Sequence, residues 1–167
     1  MTSLVMLFAM VCGAVLQAVL PKWQFLGQAN PPVLLGIVLY YTLTHDRRLT
    51  LQAAIVGGVL QDALGMIPLG YSSFCFCVVA LAIGHFKDIV FVHEVLTHTL
   101  FGALAAGTVT LMLYILLVSE GQLVLRPAWG VMKIFGSAIL GGILVPFEFE
   151  VMESFDRMVG NIESRES

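Results

Sequence analysis

Long apolar runs alternate with short polar or proline-bearing breaks along most of this chain. The first run, residues 4–20, carries no charge, and a break at 21–31 follows with Pro21, Lys22 and Trp23. The second, residues 32–44, is short, ends near Tyr40 and Tyr41, and is closed by His45-Asp46-Arg47-Arg48. The third, 49–66, holds a single acid, Asp62, and stops at Ile67-Pro68-Leu69-Gly70. Runs at 71–86, 95–118 and 128–147 complete the series, with polar connectors at 87–94 and 120–127. A membrane-spanning helix needs about 20 mostly apolar residues. The pattern therefore predicts an all-α integral membrane protein with about six transmembrane helices in one domain, residues 1–147. The first run has no basic leader and no small-residue cleavage site after it, so it is expected to be a retained span.

Residues 148–167 break the pattern and form a predicted cytoplasmic tail. Phe147, Val151, Phe155, Met158 and Ile162 recur at helical spacing, while Glu148, Glu150, Glu153, Asp156 and Glu163 supply an acidic remainder. A helix lying on an anionic leaflet is normally basic. An acidic amphipathic helix here is expected instead to extend the sixth span. Its apolar side, with Phe147, Val151 and Phe155, would be offered to a partner.

Composition supports the membrane reading. Of the 167 residues, 59% are hydrophobic and only 11% charged, against about 25% charged in soluble domains. Mean hydropathy is +0.95. A net charge of −3 provides no basic surface for nucleic acid. With the N-terminus inside, the cytoplasmic segments hold Arg47, Arg48, Lys87, Arg157 and Arg165, against Lys22, Arg126 and Lys133 outside or near it. The bias places both termini in the cytoplasm. The cysteines, Cys12, Cys75 and Cys77, all lie in apolar runs. Cys75 and Cys77 fall about 200° apart on a helix, which suits neither a disulfide nor a shared metal.

Candidate chemistry is sparse. His93 and His98 are five residues apart, about 140° on a helix, unlike the four-residue spacing of a zinc-protease helix. No nucleophile–base pair and no phosphate loop stand out, so no catalytic residue, cofactor or metal is expected. Gly102 with Ala106 and Ser137 with Gly141 are small-residue pairs suited to close helix contact. Asp62 is the most informative residue, because an acid inside a span is costly unless paired, protonated or wet. Ala54, Gly58, Asp62 and Gly65 share one helical face. A packing joint, an interfacial position and an ion pathway are all open to it; Gln61 and the backbone near Pro68 are the nearest partners in sequence.

The stretch Gly57-Gly58-Val59-Leu60-Gln61-Asp62-Ala63-Leu64-Gly65, followed by Pro68-Leu69-Gly70-Tyr71, resembles the rod-shape-determining protein MreD family. Pro31-Pro32 and the six-run layout are similar too, whereas the acidic tail has no counterpart in that resemblance. The resemblance implies a bacterial inner-membrane protein without catalytic activity, folded like the S-component of energy-coupling-factor transporters. It implies association with a bitopic MreC protein and, through it, with MreB, RodA and a class B penicillin-binding protein. Gly57, Gly58, Gln61, Asp62, Gly65, Pro68 and Gly70 would then shape the bundle or its partner contact. Homo-oligomer formation stays open. The competing expectation is a substrate-binding subunit of an energy-coupling-factor transporter, for which Gln28, Asn30, Gln61, Asp62, Glu120 and Gln122 are the polar groups on offer.

Overall fold

The computed structural model describes residues 2–20, 31–65, 67–86, 95–121 and 127–158. These residues form six α-helices and no strand: α1 (Thr2–Val19), α2 (Val33–Thr44), α3 (Arg47–Gly65), α4 (Tyr71–Phe86), α5 (Val95–Ser119) and α6 (Pro127–Met158). The polar breaks along the chain thus map onto helix ends, and His93, Glu94, Trp23, Gln28 and Asn30 lie outside the described residues.

The bundle is built around α2, which packs on all five other helices. Every residue from Val33 to Leu43 is buried. A helix that is apolar all round belongs in an interior, and the twelve residues of α2 measure only about 18 Å. Its threonine hydroxyls are satisfied locally: Thr42 Oγ1 donates to the Val38 carbonyl at 2.7 Å and Thr44 Oγ1 to that of Tyr40 at 2.6 Å.

The outer helices invert the usual distribution. α1 exposes Leu4, Phe8, Val15 and Val19, α5 exposes Leu96, Leu100, Leu104 and Ile115, and α6 exposes Phe135, Ile139, Ile143 and Phe147. Contiguous apolar surface of this extent is unstable in water and suits hydrocarbon. Two segments, Leu96–Ser119 and Ala128–Asp156, are long and apolar enough to cross a membrane, and shorter apolar helices occupy Ser3–Val19, Val33–Thr44 and Tyr71–His85.

α5 and α6 form the most extensive helix pair. Glycine permits it: a Cβ at Gly102 would lie 2.6 Å from the Gly141 carbonyl oxygen. Thr110 donates to Ser137 at 2.7 Å across the same seam.

Candidate functional site

Asp62 ends up fully buried at the junction of α3 and α4. Its carboxylate accepts the Gly70 N–H at 2.7 Å and the Ser72 N–H at 3.0 Å. The first N–H groups of any helix lack partners within it, and a negative charge there also meets the positive end of the helix dipole. Asp62 therefore caps α4 from the helix before it. The connecting turn has the geometry that this requires. The Tyr71 N–H points to the Pro68 carbonyl at 3.5 Å, and Gly70 between them has φ +106°, a left-handed conformation that L side chains rarely adopt. The backbone beyond Pro68 is thus the partner of the acid.

Gly58, one turn before Asp62, lies where α3 and α4 touch. A Cβ there would collide with the Ser73 backbone, and Ser73 Oγ donates to the Ile55 carbonyl at 3.1 Å. Gly57 faces the other way, toward Val38 and Met10 at 3.1 and 3.4 Å from its Cβ position. Of the predicted face, Ala54, Gly58 and Asp62 are buried, whereas Gly65 is exposed at the helix end.

Gln61 joins a second capping network that the sequence reading did not foresee. Gln17 donates to Gln61 Oε1 at 2.7 Å, and Gln17 Oε1 accepts the Leu34 N–H at 3.2 Å. One α1 side chain thus ties the end of α3 to the start of α2. Beside Gln61, a cavity of about 110 Å³ is lined among others by Thr110, Tyr114, Lys133 and Ser137.

α6 continues helical through Pro146 and past residue 147 to Met158. Its inward face reads Val145, Phe149, Met152 and Asp156, all buried, while Phe147 and Val151 are exposed. Asp156 Oδ2 accepts the Tyr40 hydroxyl at 2.7 Å. The carboxylate of Glu148 lies against the Cα of Gly36, with both oxygens shielded and without a hydrogen-bond partner among the described residues. Two of the acids expected on a polar outer face are therefore turned toward α2. Hydropathy spacing assumes that water lies outside; where apolar side chains face outward, the inward stripe carries the polar groups.

α1 and α6 make no close backbone approach among the described residues and meet through the stacked rings of Phe8 and Phe155, 6.0 Å apart. A groove of about 390 Å³ runs between them, lined by Phe8, Cys12, Leu16, Phe147, Val151 and others, with Glu148 on its wall. The predicted stripe of Phe147, Val151 and Phe155 borders this groove. Among the described residues, no three His, Cys, Asp or Glu side chains converge to hold a metal ion.

A helical bundle clad in apolar side chains, whose buried Asp62 braces a helix end, defines a membrane protein of structural character. The family model for rod shape-determining protein MreD matches residues 1–155, and the chain belongs to that family. No curated protein and no solved structure matches the chain significantly. Membership implies a role in determining rod shape; the family is one of structural membrane proteins not known as enzymes.

Proposed function

We propose that the chain is a non-enzymatic scaffold of the bacterial elongation complex, seated in the inner membrane. In this reading it supports cell-shape regulation and peptidoglycan synthesis by holding an MreC-type bitopic protein. MreB, RodA and a class B penicillin-binding protein are engaged indirectly. All six helices lie in the bilayer in an arrangement like the S-component of energy-coupling-factor transporters, with both termini cytoplasmic. The exposed Arg47 and Arg48 at the start of α3 favour that orientation, and α6 carries the chain to its cytoplasmic end.

The observation that carries the reading is the use made of Asp62. Both oxygens of the acid are committed to the α4 backbone, as suits a brace rather than an ion path. The competing reading, a substrate-binding transporter subunit, draws on the polar cavity beside Gln61. At about 110 Å³ that cavity is well below the roughly 300–1,000 Å³ of typical small-molecule sites. Depletion in a rod-shaped host tests the choice. Rounded cells with normal vitamin uptake are expected; cells that stay rod-shaped but acquire a specific vitamin requirement would overturn it.

A further inference from the structure

Glu148 poses a problem that the chain does not solve within its described residues. Its carboxylate is deeply buried and unpartnered, on the wall of an otherwise apolar groove. It stands opposite Gly36, eight residues from the end of α2, about 12 Å along the helix and so within the apolar layer. An uncompensated carboxylate in such a place is strongly unfavourable. Asp62 and Asp156, the other buried acids, both have donors from neighbouring helices.

The groove's dimensions narrow the occupant. It extends from Phe8 to Leu20 on α1 and from Leu144 to Phe155 on α6, about 16–18 Å or three helical turns. A lipid tail would fill the apolar part but bring no donor to the acid. A second copy docked symmetrically, groove to groove, would bring the same lining to the interface, and that lining holds no lysine, arginine or amide side chain to answer the acid.

We propose that the α1–α6 groove seats one transmembrane helix of a partner protein, and that this helix presents a hydrogen-bond donor, from a lysine, arginine or amide side chain, to Glu148. The inference rests on the scaffold reading and deepens it by assigning the face that holds the single-span partner. Apolar side chains of the incoming helix fill the walls formed by Phe8, Leu16 and Val151, and the donor supplies the partner that the carboxylate lacks. Phe147 and Val151 face outward in the absence of that helix and become covered when it docks.

The test co-expresses the full chain with the MreC-type protein of the same host and measures recovery of that protein in mild detergent. Val151→Trp narrows the groove from an exposed position, and Glu148→Leu removes the acceptor. Leu104→Trp, on the exposed side of α5, is the control. Both groove variants are expected to lower recovery at least tenfold, Glu148→Gln less than Glu148→Leu, and Leu104→Trp to leave it unchanged. Native Cys12, exposed in the groove wall, is expected to form disulfides with cysteines placed along one face of the partner's transmembrane helix. Undiminished recovery with both groove variants overturns the groove assignment while leaving the scaffold standing. Cys12 crosslinked to another copy of the chain, or to a photoactivatable lipid in place of the helix, also overturns it. Failure of the wild-type chain to recover the MreC-type protein overturns the scaffold reading and the groove assignment together.

Discussion

Replacing Asp62 tests whether the buried acid is a helix cap. In Asp62→Ala the N–H groups of Gly70 and Ser72 lose their acceptor. The Ser72 bond is buried, and the Gly70 bond only partly so, so water can replace the second more readily than the first. A hydrogen bond to a charged group contributes about 1.5–3 kcal/mol. With the Gly70 bond discounted for water, the loss is about 3 kcal/mol. For a chain of this size that corresponds to a fall of roughly 6–12 °C in Tm, taking about 2–4 °C per kcal/mol from soluble proteins. Asp62→Asn keeps one acceptor oxygen and is expected to fall between wild type and Ala. Thermal unfolding in detergent supplies the ranking, and amide hydrogen exchange at Ser72 locates it, since its protection should drop selectively in Asp62→Ala. A melting temperature for Asp62→Ala within a degree of wild type, with Ser72 still protected, would refute the capping argument. So would Asp62→Asn proving as damaging as Asp62→Ala.

Gly58→Ala forces a methyl group into the Ser73 backbone and should cost about 1–3 kcal/mol. Gly65→Ala, at an exposed helix end facing only the Ile67 side chain, should be nearly neutral; paired melting curves compare them. Tyr40→Phe deprives Asp156 of its hydroxyl donor and should cost about 1.5–3 kcal/mol. Tyr41→Phe removes a buried hydroxyl without a partner among the described residues and should be neutral or mildly stabilising, so equal losses in the two variants would count against the Tyr40–Asp156 bond.

Helix positions were legible because charges and prolines mark the ends. The run at 71–86 coincides with α4, and the runs before and after it agree with α2, α3 and α5 to within two residues. The helical spacing beyond residue 147 foretold that the sixth helix continues, but not that Glu148 and Asp156 turn inward, because the partner of Asp156 lies on α2, 116 residues away in sequence. The Asp62 cap was half legible: the nearby backbone was an evident acceptor-seeking group, since Pro68 and Gly70 mark a turn. The Gln17–Gln61 bond was not, because two glutamines 44 residues apart carry no local signal. Nor could periodicity reveal that the shortest apolar run would occupy the centre.

The central place of α2 has a consequence for synthesis. Its walls come from helices on both sides in sequence, so a growing chain that has made only α1 and α2 holds an unfinished interior. The faces that receive Phe149, Met152 and Asp156 close only when the last helix arrives. Assembly of this bundle is therefore a C-terminal event. Chains cut short before α6 would leave Tyr40 and Gly36 bare, the kind of lesion by which membrane proteases distinguish an incomplete product from a finished one.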